Sequence, residues 1–342
     1  MEKRFLIARW LGSDTQSIPI YDEASVSSAR QRVRDAGNVI QAGKQLVESV
    51  ALIASELTHN QLAHSKQGYF AVRPIERSTA KGLEVTAADL GPGIDKPVLA
   101  GSPRVEGSLG AGLESVFRLA DEVEVDTRLA EGLCVVARKF EAGTPEPFET
   151  AVAGEPYPGE IISGDDAICL RSEAGFLAAV CDGLGHGPEA REASKEAVES
   201  IARHRDLDLR EIVIAVNSEI AGSRGCALSI ARFDKQTSTL QCVSAGDVRS
   251  HLYHFRDAHF FTSTPLVIGE RELSTRRLRV EEATIAPGSV FAMFTDGLET
   301  KTTLKGQLEL LRQPAIVNAQ HLIARHARRT DDSLVFVARF RR

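Results

Sequence analysis

The chain is 342 residues long, 43% apolar and 26% charged, with a formal net charge of −6 at pH 7. That length holds two ordinary domains, each with its own core, and the composition is that of a soluble globular protein. The acidic balance, with no basic block longer than the short "TRRLR" patch, gives no reason to expect nucleic acid as a partner.

The opening "MEKRFLIARWLGSD" carries a short mixed apolar stretch, too short for a signal-peptide core or a membrane span. A cytoplasmic chain with no membrane attachment is expected. The five cysteines (Cys134, Cys169, Cys181, Cys226 and Cys242) are scattered and form no C-x-x-C pair, so reduced thiols are expected in place of disulfides or zinc ligands.

Residues 23–36 and 42–63 read as helices. In the second, Leu46, Val50, Ile53 and Leu57 recur at helical spacing and form one apolar stripe. Glu56 and Asn60 lie four apart and share a face beside that stripe. "GYFAVRPIE" and "KGLEVTAADL" read as consecutive strands, the second ending at Asp89 followed by "GPGI". Downstream, "GSLGAGLESVFRLA" reads as a glycine loop (Gly107, Gly110, Gly112) entering a helix at about Leu113. Backbone N–H groups at such a helix start favour a bound phosphate.

The ordered set, S-E-x-x-x-N on a helix, D-x-G-x-G after a strand, then G-x-G opening a helix, resembles the GHKL ATPase family. Within it the resemblance is to the small anti-sigma and stressosome switch kinases (RsbT/RsbW-like), over roughly residues 18–140. It implies a Bergerat-type α/β sandwich, a mixed sheet covered on one face by helices. On the same resemblance Asn60 would hold the Mg²⁺ that bridges ATP phosphates, and Glu56 would be the general base. Asp89 would accept from the adenine amino group, with Gly91 and Gly93 shaping its loop, and Gly107, Gly110 and Gly112 would line the phosphates beside a short lid.

"EAGTPEP" (residues 141–147) combines Gly, two Pro and acidic residues, and reads as a linker. It sets expected domains at 1–142 and 143–342.

Beyond it, acidic residues recur at the ends of strand-like runs: Asp165 and Asp166 in "SGDDAICL", Asp182 in "FLAAVCDGLGHG", Asp296 in "SVFAMFTDGLET", and Asp331 and Asp332 in "RRTDDSLVFVARF". Asp and Gly are default turn residues, but four acidic sites at strand mouths call for hard cations. The order G-D, D-G, D-G, D-D resembles the metal-dependent protein phosphatases of the 2C (PPM) class, and most closely the bacterial SpoIIE/RsbX branch. This covers about residues 147–340 and implies a four-layer α-β-β-α sandwich with two metal ions, Mg²⁺ or Mn²⁺, at one edge. By resemblance Asp182 would bridge the metals, the Gly183 carbonyl would complete one of them, and Asp165, Asp296 and Asp331 would bind the second. The nucleophile would be hydroxide, attacking a phosphoserine or phosphothreonine. In eukaryotic members a histidine directly follows the D-G pair. Here Leu184 takes that place, so His186 is read as a loop residue ahead of a proton donor. Asp166 and Asp332 are read as turn-forming or as supports of ligands, and "SAGDVRSHLY", with Asp247 and Arg249, as a structural hairpin.

The resulting expectation is a partner-switching regulator acting on a phosphorylated STAS-type antagonist or scaffold protein, with an anti-sigma or sigma factor as a further candidate partner. Three alternatives stay open at this level. The first half binds ATP only to gate the phosphatase, the chain is an anti-sigma binding module with a degenerate kinase half, or it is a small-molecule phosphatase.

Overall fold

A computed structural model describes residues 3–12, 16–65, 67–77, 80–94, 109–142, 145–270, 273 and 275–341. The chain folds as two compact units, Met1–Glu149 and Thr150–Arg342.

In the first unit the elements run α1 (Lys3–Leu11), β1 (Ser17–Ile20), α2 (Glu23–Val39), α3 (Lys44–His64), β2 (Gly68–Arg77), β3 (Ala80–Asp89), α4 (Leu109–Leu119), β4 (Glu122–Arg128) and β5 (Gly132–Phe140). Asp22 starts α2 through a capping box: its carboxylate accepts the Ser25 N–H, and the Ser25 hydroxyl accepts the Asp22 N–H. The strand order is β1-β2-β3-β5-β4, and every pair within it is antiparallel. This corrects the mixed sheet implied by the resemblance. The α3 stripe of Leu46, Val50, Ile53 and Leu57 is buried as the spacing requires. Side chains alternate across a strand, so Ala87 faces α3 while Ala88 and Cys134 face α1, where Ile7 and Trp10 cover them. Helices therefore lie on both faces of this sheet, not on one.

Residues 141–147 connect β5 to the next strand. Glu146 within them is buried, donates its N–H to Glu122 and pairs with Arg77 at 3.3 Å. Those contacts tie this part of the expected linker to the first unit.

The second unit continues with β6 (Phe148–Glu155), β7 (Asp165–Ser172), β8 (Gly175–Gly183), α5 (Pro188–Arg203), α6 (Leu209–Glu219), β9 (Cys226–Asp234), β10 (Thr239–Ala245), β11 (Arg249–His254) and β12 (Asp257–Phe260). It ends with β13 (Ser263–Thr264), β14 (Val280–Thr284), β15 (Val290–Phe294), α7 (Leu308–Leu311), α8 (Ala315–His326) and β16 (Ser333–Phe340). One sheet has the order β6-β16-β15-β11-β12, the other β13-β10-β9-β8-β7, with β14 also pairing β10. Strand β8 shows why two sheets form. Leu177, Ala179 and Cys181 meet the buried faces of α5 and α6, whereas Phe176 on the opposite face packs on Phe336 and Phe340 of the facing sheet. With α8 packed on β16, the layers are α-β-β-α, as expected. All five cysteines are free.

"SAGDVRSHLY" is not a hairpin. Its two strands, β10 and β11, lie in different sheets, so Gly246 and Asp247 make the crossover. Gly246 has φ +77°, and a Cβ there would come within 2.5 Å of the Ala227 Cβ.

Two glycines separate backbone freedom from close approach. At Gly297 a Cβ would sit 1.8 Å from the Asp332 carbonyl oxygen, whereas Gly288, at φ +84°, has nothing within 4 Å. Gly297→Ala is expected to destabilise the second unit by about 3 kcal/mol, because backbone must move. Gly288→Ala carries only the left-handed penalty of about 1 kcal/mol. Thermal melting of the two variants checks the order, and equal losses would contradict it.

Candidate functional site

The first unit holds a pocket between α3, the end of β3, α4 and β5, with Asn60, Gln61, His64, Asp89, Gly93 and Leu113 in its wall. Asn60 meets the start of α4: a Cβ on Gly112 would come within 2.8 Å of the Asn60 amide. Glu56 lies one turn earlier on α3, half-buried. The helix after the glycine loop begins at Leu109, not Leu113. Gly110 and Gly112 are thus residues of its first turn, which corrects their reading as loop glycines, and Gly107 lies outside the described residues.

Asp89 ends β3, only 7% exposed. Burial pushes its pKa up to about 6, against the lowering effect of the Gly91 N–H and the Ser65 hydroxyl. The Gly91 N–H donates to Asp89 Oδ1 at 2.8 Å, and a Cβ at 91 would come within 2.7 Å of that oxygen. Gly93 has φ +74° and packs on the Arg128 carbonyl. The loop is pinned from outside by the Ile94 N–H donating to Thr127 Oγ1 at 2.8 Å and the Ala130 N–H donating to the Pro92 carbonyl at 2.9 Å. Two residues that the sequence did not single out support the strand end that carries Asp89. Gly132 lets β5 approach the Asp89 carbonyl, where a Cβ would come within 2.1 Å. The Gln61 amide donates to the carbonyls of Tyr69 and Ala88 at 3.0 and 3.1 Å.

In the second unit the register of β7 on β8 sets Asp165 directly across from Asp182. Directly opposed residues share a sheet face, so the two carboxylates lie on the same face, close enough for Asp182 to repel Asp165. The Asp296 N–H donates to Asp182. Burial comes first among the causes that raise the pKa of Asp165, Asp182 and Asp296. Repulsion comes next, from Asp182 on Asp165, from Asp296 on Asp182 and from Asp331 on Asp296. Among the described residues no three His, Cys, Asp or Glu side chains converge closely enough to hold one ion. The cluster is thus a set of mutually repelling carboxylates held near one another, not a preformed chelate.

Its supports are specific. The Thr295 hydroxyl, fully buried, donates to Asp165 Oδ2 at 2.8 Å and accepts the Leu334 N–H at 3.0 Å. Arg191, on α5 and 5% exposed, donates to the carbonyls of Ser163 and Asp165 at 3.2 and 3.0 Å. Asp332 accepts the N–H groups of Tyr157 and Gly164 at 2.6 and 2.8 Å, one on each oxygen. Arg249 lies over the Phe294 ring at 4.7 Å and donates to the carbonyls of Leu298 and Glu299, shaping the loop that follows Asp296. Asp247 also acts on Asp296, adding to the repulsion there. Asp166 accepts the Ala167 N–H and pairs with Cys181 in the register, on the face away from Asp165. Sequence reasoning had no signal for Thr295 or Arg191, whose partners come from distant strands.

Gly183 is fixed by packing: a Cβ there would come within 2.1 Å of the Ala190 carbonyl oxygen. Gly185 and Gly187 have φ +87° and +77°, so the turn into α5 needs glycine twice more. His186 is exposed, stacks on Tyr157 with ring centroids 4.5 Å apart and lies 3.5 Å from Glu160. Its place is the loop surface.

Comparison with known proteins identifies both halves. Residues 172–341 match the family model of stage II sporulation protein E (SpoIIE), and residues 21–139 match that of the histidine kinase-like ATPase domain. The phosphoserine phosphatase RsbX of Bacillus subtilis (strain 168) is 28% identical over 154 residues, 45% of this chain and 76% of that protein. The serine/threonine-protein kinase RsbT of the same organism is 29% identical over 130 residues, 37% of this chain and 98% of that protein. Among solved structures, a chain of the bacterial stressosome, a modular system adapted to control secondary messenger signaling, aligns with a TM-score of 0.53 at 27% identity, covering 57% of this chain and all of that one. RsbX in complex with magnesium aligns at 0.50 and 22% identity, over 58% and 98% of the two chains. The chain therefore joins a histidine kinase-like ATPase domain to a SpoIIE-type phosphatase domain. No described helix is long and apolar enough to cross a membrane.

The raised pKa of Asp89 has a definite sign. An ionised carboxylate that titrates near 6 when folded and near 3.8 when unfolded costs stability. That cost begins as pH rises past 3.8 and is complete above 6. Asp89→Asn removes it, and is expected to stabilise the first unit at pH 7.5 by about 2–3 kcal/mol. The gain should fade as pH is lowered below about 4. Melting curves at both pH values check this, and a variant less stable than wild type at pH 7.5 would contradict it.

Proposed function

We propose that the chain is a two-headed partner-switching regulator. Its second unit hydrolyses a phosphoserine or phosphothreonine on a STAS-type partner, and its first unit binds ATP–Mg²⁺ and phosphorylates that class of partner. The observation that carries this reading is the cross-strand pairing of Asp165 with Asp182, joined by the Asp296 N–H.

Oxygen donors of this kind, in which further aspartates repel both Asp165 and Asp182, fit hard divalent cations. Asp165, Asp182, the Gly183 carbonyl, Asp296 and Asp331 would hold Mg²⁺ or Mn²⁺. Bound there, the cations supply positive charge against phosphoryl oxygens and acidify water. The protein's own part is positional. Thr295 and Arg191 fix the Asp165 segment from both sides, and Arg249 fixes the loop after Asp296. With both its oxygens engaged by backbone N–H groups, Asp332 holds the 157–164 loop and leaves Asp331 to the site.

In the first unit Asp89 would accept from the adenine amino group, in the loop shaped by Gly91 and Gly93. Asn60 would hold Mg²⁺ beside the Gly110–Gly112 turn, and Glu56, one helical turn away, would take the proton of the attacking hydroxyl. The relatives support the pairing of activities: one is named as a serine/threonine kinase, the other as a phosphoserine phosphatase.

Mn²⁺ is expected to raise the melting temperature of the wild type, and Asp182→Ala to abolish both that shift and dephosphorylation of a phosphoserine-bearing STAS protein. Without metal the variant should melt no lower than wild type, because the substitution relieves repulsion between the paired carboxylates. Full activity in folded Asp182→Ala would overturn the phosphatase assignment.

For the first unit, Asn60→Ala should weaken Mg²⁺–ATP binding in calorimetry. Glu56→Ala should leave binding near normal and remove phosphotransfer, since a general base acts in the transition state. Unchanged transfer in Glu56→Ala would remove that residue from the mechanism.

A further inference from the structure

Gln61 follows Asn60 on α3 and is 3% exposed. Its Nε2 donates to two backbone carbonyls, Tyr69 on β2 and Ala88 on β3. Two carbonyls can only be met by a donor, so this network sets which end of the amide is nitrogen. The other end, Oε1, is a buried acceptor with no hydrogen-bond partner, and buried polar atoms in native proteins are seldom left so. The same side chain is part of the wall of the cavity that contains Asp89.

Register places this oxygen over the sheet face that carries that carboxylate. Gly68 is the cross-strand partner of Asp89, so a Cβ on Gly68 would project to the face that carries the Asp89 side chain. That Cβ would come within 2.7 Å of Gln61 Oε1 and 2.6 Å of Cδ. A glycine at 68 is therefore what lets the Gln61 amide lie over the strand ends next to Asp89. Asp89 Oδ1 already accepts the Gly91 N–H. The Ser65 hydroxyl acts on the same carboxylate, so the pocket is lined by two buried acceptor groups, the Asp89 carboxylate and Gln61 Oε1.

On the reading that this cavity holds ATP, we propose that Gln61 is a specificity-determining residue of the base site. Asp89 and Gln61 Oε1 each receive one hydrogen of the exocyclic amino group of adenine. A 6-oxo purine puts an acceptor at that position, so it would face two acceptors with no proton between them. Sites built to hydrogen-bond a donor reject analogues that lack it far more strongly than apolar sites reject a size change.

The test is calorimetric titration of the full chain, wild type and Gln61→Leu, with ATP, inosine triphosphate and N6-methyl-ATP. The wild type should bind ATP at least tenfold more tightly than either analogue. Gln61→Leu should lose about tenfold in ATP affinity, as for one hydrogen bond, with inosine triphosphate binding no more weakly than before. Equal losses for ATP and inosine triphosphate would make Gln61 a clamp on the strands and overturn the proposal. Should Gln61→Leu fail to fold, the wild-type comparison decides: N6-methyl-ATP binding as tightly as ATP overturns it. If the wild type binds none of the three at millimolar concentration, the ATP reading itself falls, and the proposal with it.

Discussion

The second unit is organised around an unfavourable interaction: two carboxylates, Asp165 and Asp182, set opposite each other by a β ladder that gives neither room to leave. In solution such groups would separate or take up a proton. Here the register of β7 on β8 fixes their Cα positions, and burial removes the water that would screen them. Asp296 and Asp331 add charge from the ends of the facing sheet. The sandwich can hold this arrangement because its strain is spread over a large apolar core: the α5–α6 face of β8 on one side, and Phe176, Phe336 and Phe340 between the sheets on the other.

The first unit uses burial in the opposite way. A single carboxylate, Asp89, sits among neutral hydrogen-bond donors, so its site has a shape and a polarity but little accumulated charge. Charge in that unit is gathered elsewhere on the sheet, where Arg138 reaches Glu84, Glu122 and Glu124, and Arg77 reaches Glu122 and Glu146. These pairs join opposite charges, which is why they read as architecture, whereas Asp165 and Asp182 of the second unit feel the repulsion of further aspartates.

Much of this was legible in the sequence, for a physical reason. Strand ends and helix faces are local properties, so "CDGLGHG", "TDGLE" and the Glu56–Asn60 spacing announce their positions directly. Thr295, Arg191 and Gln61 were not legible, because each acts through a partner more than 20 residues away that only the packing of helix on sheet or sheet on sheet brings near. The start of α4 was misplaced because glycine is a poor helix former and a glycine-rich turn reads as loop; the Asn60 side chain packed against Gly112 rewards having no Cβ there. "SAGDVRSHLY" is read as a structural hairpin on the family resemblance. Nothing local distinguishes a turn within a sheet from a crossing between sheets.

The D-G pairs show how one residue type meets two demands. It is tempting to assign the glycines after Asp182 and Asp296 to ligand approach alone. Yet Gly183 faces the Ala190 carbonyl and Gly297 faces the Asp332 carbonyl, both at distances that admit no side chain. Each glycine docks its aspartate's segment onto the backbone of another: Gly183 joins β8 to α5, and Gly297 joins the loop after β15 to the start of β16. Since Arg191, one residue along α5 from Ala190, grips the Asp165 carbonyl, the docking at Gly183 also ties Asp182 to Asp165. Since Asp331 adjoins Asp332, the docking at Gly297 ties Asp296 to Asp331. The four carboxylates are thus held by two backbone contacts that a single methyl group would break, and the glycines are as necessary to the spacing of the charges as the aspartates are to their presence.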